Sequence, residues 1–386
     1  MREQKSLTYN ESPKDSSLTL GLARRKYLKT EGRTLTLYRV RNAKMSFEYV
    51  KEVISPEVLK ELYPLTDKQK KLKEKRDKEI SDIIAGRSDK FLVVIGPCSA
   101  DHEDPVCEYI VRLAAVQEKI KDKVLLVPRI YTNKPRTTGM GYKGILHQPD
   151  PEKETDFLEG LIAMRKMHLR AISETGMFAA DEMLYPENWP YIDDILSYVA
   201  VGARSVEDQQ HRLTVSGMDL PAGMKNPTSG DFSVMLNSII AAQAGHTFLY
   251  RGYEVKTTGN PLAHAILRGA VNKHGANIPN YHYEDLVRLH EKYSLLELKN
   301  PACIIDTNHS NSGKVFYEQP RIVEEVMHNR RISEPIRELV KGLMIESYLL
   351  PGAQKINEHE FGKSITDACL GWEESERLLY NIADKL

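Results

Sequence analysis

The chain has 386 residues, 41% of them hydrophobic and 28% charged, with 54 basic residues set against 54 acidic ones. This is enough to build one large barrel or two ordinary domains, and a formal net charge of zero speaks against nucleic acid or a membrane surface as the main partner. Four scattered cysteines, a polar start at Met1–Ser6 without a signal-peptide core, and no apolar run long enough for a bilayer predict a reduced, soluble, cytoplasmic protein.

Residues 1 to about 45 are polar, with a basic patch at Arg24-Arg25-Lys26 and a strand-like alternation over 35–40. They read as an arm that packs on a neighbour or on its own barrel, with a partly disordered tail as the other reading. The domain division expected is an N-terminal arm over 1–65 and a catalytic barrel over 66–386. A helix is predicted over 67–85, with Ile80, Ile83 and Ile84 as its apolar end and Gly86 as its stop. Its charged run, Lys68 to Arg76, interleaves acids and bases and reads as a solvated face. From residue 91 onward, apolar runs at 91–98, 124–131, 177–184, 198–204, 221–226, 247–251, 302–309 and 342–350 alternate with amphipathic stretches. Those stretches are 105–120, 156–174, 206–216, 231–244, 283–293 and 319–329. Unbroken apolar strands imply a sheet buried on both faces. Eight of them predict an α/β chain folded as a (β/α)8 TIM barrel rather than an open sheet. The absence of a Gly-x-Gly-x-x-Gly turn or Gly-Lys-Ser/Thr phosphate loop agrees. Turns at Arg251-Gly252 and Thr258-Gly259-Asn260 predict a hairpin inserted near strand six.

The chemistry gathers where these runs end. Cys98, His309 and Glu346 each close an apolar run, and Asp367 sits in Ser364-Ile-Thr-Asp-Ala-Cys369. A thiolate, an imidazole and two carboxylates at one barrel mouth can hold a divalent metal. Taken singly, Cys98 also reads as a small core residue, His309 as a hydrogen-bonded core histidine, and the carboxylates as caps or ion pairs. Arg129, Arg204, Lys225 and Arg268 follow their runs in the same way. Each has an ordinary ion pair as its alternative, but four cations converging on a neutral chain point to an anionic ligand. Lys134-Pro135-Arg136-Thr137-Thr138 leads into the glycine-rich Gly139-Met-Gly-Tyr-Lys-Gly144. It suits a second anion or a carbonyl needing a proton donor, or else is a plain surface turn.

Gly96-Pro97-Cys98-Ser99, Lys134-Pro135-Arg136-Thr137-Thr138, Gly202-Ala203-Arg204, Lys225-Asn226, Ile266-Leu267-Arg268-Gly269, His309-Ser-Asn-Ser-Gly-Lys314 and Gly362-Lys363-Ser364-Ile365-Thr366-Asp367-Ala368-Cys369 occur in that order. From about residue 65 to its end, the chain resembles the type I 3-deoxy-D-arabino-heptulosonate 7-phosphate (DAHP) synthases, the group with the phenylalanine- and tyrosine-sensitive bacterial enzymes. The resemblance implies a transferase condensing phosphoenolpyruvate with erythrose 4-phosphate, the entry to aromatic amino-acid synthesis, working as a homodimer or homotetramer. It implies Cys98, His309, Glu346 and Asp367 as ligands of one divalent ion: manganese, iron, cobalt, zinc or copper. It implies Arg129, Lys134, Glu182, Ala203, Arg204, Lys225 and Arg268 around phosphoenolpyruvate, and Lys134, Arg136 and Thr137 around the aldehyde substrate, with Lys134 as a proton donor. Trp189-Pro190 and Asp219 depart from the family within its effector region, Tyr348 replaces a histidine, and the loop after Lys134 is one residue longer. The rival readings are a Schiff-base aldolase using Lys134 or Lys225 as the amine, and a non-catalytic regulatory barrel.

Overall fold

The computed structural model describes strands Arg25–Thr30 and Arg33–Tyr38, residues 47–136 and residues 139–386. The chain divides into two compact units, Met1–Val53 and Ile54–Leu386. In the first, the two strands pair antiparallel from Arg25 opposite Tyr38 to Thr30 opposite Arg33. The alternation expected over 35–40 falls in the second strand as far as Tyr38, and residues 39 and 40 lie outside the described residues.

The second unit is the barrel. Its strands are β1 (Phe91–Gly96), β2 (Val124–Pro128), β3 (Ala179–Glu182), β4 (Leu196–Val201), β5 (Ala222–Lys225), β6 (Ala263–Leu267), β7 (Cys303–Asp306) and β8 (Val340–Glu346). They form one parallel eight-stranded sheet in the spatial order β2-β1-β8-β7-β6-β5-β4-β3. The seam between β2 and β3 is spanned by a parallel bridge from Arg129 to Ala180, with Ile130 N–H donating to the Ala180 carbonyl at 3.0 Å. Helices α1 (Pro56–Leu62) and α2 (Asp67–Ile84) precede the barrel. Around it run α3 (Glu103–Ile120), α4 (Phe157–Thr175), α5 (Gln209–Val215), α6 (Phe232–Gln243), α7 (Tyr283–Ser294), α8 (Gln319–Ile332), α9 (Glu334–Leu339) and α10 (Trp372–Asp384).

The strands carry continuous apolar runs because both faces are covered. Leu92 and Val94 of β1, Leu125 and Val127 of β2, Tyr198 and Ala200 of β4, Ile304 and Met344 join one core cluster with Ile80, Ile83 and Ile84 of α2. The alternate residues Phe91, Val93 and Ile95 are buried as well. The apolar end of α2 therefore packs into the barrel's own core. A capping box starts this helix: Thr66 N–H donates to Gln69 Oε1 at 2.8 Å, and Gln69 N–H to Thr66 Oγ1 at 3.3 Å. Gly86, at φ +70°, follows its end. Its charged face is laced with ion pairs such as Arg76–Glu79 at 2.7 Å.

The run at 247–251 is not the sixth barrel strand. Thr247–Tyr250 pairs antiparallel with Tyr253–Lys256 through a turn at Arg251 and Gly252, both at positive φ. The hairpin stands between α6 and β6, and Leu249 and Tyr253 are exposed. The true sixth strand, Ala263–Leu267, is wholly buried but is interrupted by His264. That imidazole is accommodated because Nδ1–H donates to the Leu262 carbonyl while Nε2 accepts from Tyr198 Oη, each at 2.8 Å. Burial holds its pKa down at about 4. A second short hairpin, Ala270–Val271 with Asn277–Ile278, follows β6.

Candidate active site

All eight strands deliver chemistry to their C-terminal ends. Glu182, Lys225, Asp306 and Glu346 are the last residues of β3, β5, β7 and β8, while Arg129 and Arg268 directly follow β2 and β6. Cys98 lies two residues beyond β1, and Ala203 and Arg204 shortly follow β4.

Gly96 lets the ends of β1 and β2 close together: a Cβ there would stand 2.7 Å from the Arg129 carbonyl oxygen. Across that contact, Arg129 Nε donates to the Pro97 carbonyl at 3.2 Å, and Nη2 to the Cys98 carbonyl at 3.3 Å and to Glu346 Oε1 at 3.0 Å. The guanidinium carbon lies 3.8 Å from the centre of the Tyr131 ring. Asn308 Nδ2 donates to Glu346 Oε2. Such closure is what a fully buried ion pair needs to offset its desolvation. Gln319 of α8 grips the backbone of Glu346 from both sides, accepting its N–H and donating to its carbonyl at 2.9 Å each.

Donor atoms of Cys98, Glu346 and Asp367 all lie within 4.8 Å of one another. Cys98 Sγ is 3.6 Å from Asp367 Oδ2, and Lys134 Nζ is 2.9 Å from the same sulfur. Burial, with Glu346 next, pushes the Cys98 thiol up against the pull of Lys134. Burial also acts on Asp367, but Lys134, Lys314 and His309 outweigh it and hold the carboxyl at about 2. His309 stands outside the group, in the left-handed region at φ +46°. Its Nδ1 is 2.8 Å from Asp306 Oδ2, but off the line of a good hydrogen bond. One sulfur and two carboxylates drawn this close fit a divalent ion of intermediate softness. The thiol sheds its proton in binding one.

The cations line the same mouth. Lys225 Nζ donates to Glu182 Oε2 at 3.2 Å and lies 3.7 Å from Asp306 Oδ2. Gly202 leaves room for Glu182, whose Oε1 would be 2.5 Å from a Cβ at that position. Beyond it Ala203 is half-buried and Arg204 exposed. The Arg268 backbone N–H donates to Asn226 Oδ1 at 2.9 Å. Burial first, and the positive charge of Arg204, lower the Arg268 pKa, with Asp306 opposing. Arg136 Nε donates to the Tyr142 carbonyl at 2.8 Å. Thr137 lies outside the described residues. Two of the cations thus do form ion pairs with barrel carboxylates, Arg129 with Glu346 and Lys225 with Glu182, yet the account is not closed. Nη1 of Arg129 and Nη1 of Arg268 are both buried without a hydrogen-bond partner. Leaving such donors unmet is costly unless a ligand supplies the acceptors.

Asp306, Asn308 and Gln319 are site residues that the sequence reading passed over. Asp306 closes its run as Glu346 does, so the rule that singled out Glu346 was sufficient to find it. Trp189 is half-buried in the turn Pro186–Tyr191 and lines a small cavity with Asn133 and Asn188, whereas Asp219 is exposed ahead of β5. Among the described residues, no hydrogen bond or ion pair joins the two.

A barrel whose strand ends collect a thiol, carboxylates and unsatisfied guanidinium groups defines a (β/α)8 enzyme built for anionic substrates. The model of the DAHP synthetase I family matches residues 63–380. The chain belongs to that family. It is 36% identical over 343 residues to phospho-2-dehydro-3-deoxyheptonate aldolase, Tyr-sensitive, of Escherichia coli (strain K12), covering 86% of this chain and 93% of that protein. The Phe-sensitive enzyme of the same strain is 37% identical over 354 residues, covering 89% and 97%. The solved phospho-2-dehydro-3-deoxyheptonate aldolase of Francisella tularensis SCHU S4 superposes with a TM-score of 0.81 at 31% identity, covering 89% of this chain and 98% of its own.

Proposed function

We infer that the barrel condenses phosphoenolpyruvate with D-erythrose 4-phosphate and water to give 3-deoxy-D-arabino-heptulosonate 7-phosphate and phosphate, the first step of the shikimate pathway. The observation that carries this reading, within a chain of this family, is the pair of buried, unpartnered guanidinium nitrogens beside the Cys98, Glu346 and Asp367 group.

Arg129 and Arg268, with Lys225 and Arg204, hold the phosphate and carboxylate of phosphoenolpyruvate through planar charge-assisted hydrogen bonds. Arg136, with Thr137, takes the phosphate of the aldehyde substrate. Their main contribution is to bring two mutually repelling anions into contact. The enol carbon attacks the aldehyde carbon, one C–C bond forms, and the aldehyde oxygen takes a proton from Lys134. Water then adds at C2, its proton passing to Glu182, and the hemiketal collapses with departure of phosphate. Glu182 is suited to this role because Lys225, Lys134 and His309 overcome its burial and keep it ionised. Cys98, Glu346 and Asp367 would hold a divalent ion, with His309 as a fourth ligand, and the bound ion would supply Lewis-acid polarisation of the aldehyde carbonyl. Manganese, iron, cobalt, zinc and copper all accept such a mixed donor set.

The Schiff-base alternative needs a neutral lysine. Lys134 instead faces Cys98, Glu346 and Asp367, which raise its pKa against the effect of burial, so it is equipped to donate a proton and not to act as a nucleophile. Among the described residues no helix is long and apolar enough to cross a membrane. Four free, buried cysteines accord with a reducing compartment such as the cytoplasm. The test is loss of phosphoenolpyruvate ultraviolet absorbance on adding erythrose 4-phosphate, before and after chelation and again with Mn²⁺ restored. Consumption that ignores both aldehyde and chelator would remove this reading.

A further inference from the structure

Each donor of the Cys98, Glu346 and Asp367 group faces a cation of the chain. Arg129 Nη2 lies 3.0 Å from Glu346 Oε1, Lys134 Nζ 2.9 Å from Cys98 Sγ, and Lys314 Nζ 3.1 Å from Asp367 Oδ1. The first two are tied down by further contacts: Arg129 also reaches the Pro97 and Cys98 carbonyls, and Lys134 the Cys98 carbonyl at 2.8 Å. Lys314 is different. Its side chain is 59% exposed, and among the described residues Asp367 is the only partner of its ammonium group. Its backbone is fixed in the left-handed region at φ +65°, with its N–H donating to the His309 carbonyl at 2.7 Å. The backbone is anchored while the charged tip can turn into water without leaving a buried cation behind.

We propose that Lys314 is a removable counterion of the metal group, competing with a divalent ion for Asp367 and so setting how tightly that ion is held. This rests on the reading that the group binds a metal. Asp367 turns Oδ2 toward Cys98 and gives Oδ1 to Lys314, so an ion held by the group would share the carboxylate with the ammonium, and the two positive charges would repel. Because both partners are partly exposed, the competition is modest and sensitive to salt. Removing the charge tightens metal binding by about two- to fivefold on the scale of such pairs. Lys314 closes the motif His309-Ser-Asn-Ser-Gly-Lys314, and the condensation itself gives it no other task.

The experiment is a Mn²⁺ titration of the full-length chain, followed by the electron paramagnetic resonance signal of free Mn²⁺. It compares wild type, Lys314→Gln, Lys314→Arg and Cys98→Ala at low and high salt, with circular dichroism to establish that each is folded. Lys314→Gln is expected to bind about two- to fivefold more tightly than wild type at low salt, Lys314→Arg to match wild type, and the gap to close at high salt. Cys98-dependent binding with Lys314→Gln equal to or weaker than wild type overturns the role of Lys314 alone. Absence of binding by wild type, or undiminished binding by Cys98→Ala, overturns the metal reading and this proposal with it.

Discussion

A guanidinium kept in a protein interior normally spends all its donors, and this barrel mouth keeps Arg129 and Arg268 each with a terminal nitrogen unspent. The flat fork is what a phosphate or carboxylate demands, and an ammonium cannot reproduce it. Arg268→Lys is therefore expected to raise the KM for phosphoenolpyruvate by about 10–100-fold, the worth of one or two charge-assisted hydrogen bonds. The change should fall mainly on KM, because in the role proposed for it the contact would be made to the bound substrate as well as to the transition state. An unchanged KM with a collapsed kcat would assign Arg268 to the chemical step. Cys98 poses a different question, since it is fully buried and small enough to pass for core. Cys98→Ala removes one sulfur with little change in volume, so thermal unfolding should stay close to wild type. Metal-dependent turnover should fall by at least about 100-fold, the upper end of losses seen when the support of a metal ligand is removed. A fully active, chelator-sensitive Cys98→Ala enzyme would take the thiol out of the centre.

At the scale of elements, α4 carries a burial that shapes the molecule's tolerance of acid. His168 is buried with neither ring nitrogen partnered. Burial and the neighbouring Arg165 lower its pKa from 6.5 to about 3. In the unfolded chain the ring takes its proton near the ordinary value, so the unfolded state binds more protons between pH 6.5 and about 3. Stability therefore falls as pH drops through that window, with a slope of about 1.4 kcal/mol per pH unit. His168→Leu should flatten that part of the curve, measured as the difference in denaturant stability between variant and wild type from neutral pH downward. A difference independent of pH would mean that the ring is solvated in the fold. The same contest between pattern and burial decides what could be read in advance. Most of the barrel strands were legible because their runs are largely apolar. β6 was displaced onto the hairpin at 247–251 because His264 breaks its run, and only the contacts to Tyr198 and Leu262 show why a histidine belongs there. Strand-end charges such as Arg129, Lys225 and Glu346 were visible for the cost of burying them. Asn308 and Gln319 carry no charge, and their value lies in hydrogen bonds to Glu346 from a loop and a helix 38 and 27 residues away in sequence, respectively, which no local pattern encodes.

For the whole molecule, the proposed metal group would act as a staple across the chain. Cys98 follows the first barrel strand and Glu346 ends the last, and these strands are neighbours, with Glu346 paired to Gly96 in the β1–β8 register. Asp367 adds the segment leading to α10. A divalent ion gripping all three links regions that the unfolded chain holds far apart, and unfolding must release it. Metal at 100 times its dissociation constant should therefore stabilise the fold by about 2.7 kcal/mol and raise the melting temperature by a few degrees. Binding also carries a proton cost of known sign. The Cys98 thiol is pushed up by burial and Glu346, so near neutral pH it enters the complex by releasing a proton. Apparent affinity should then rise about tenfold per pH unit across the neutral range, one proton being worth about 1.4 kcal/mol per unit. Calorimetric titration of Mn²⁺ in buffers of different ionisation enthalpy reads that proton directly, and Cys98→Ala should lose it. Release of a proton by wild type and variant alike would place its source elsewhere, whereas a melting temperature indifferent to metal would mean that the ion does not tie β1 to β8.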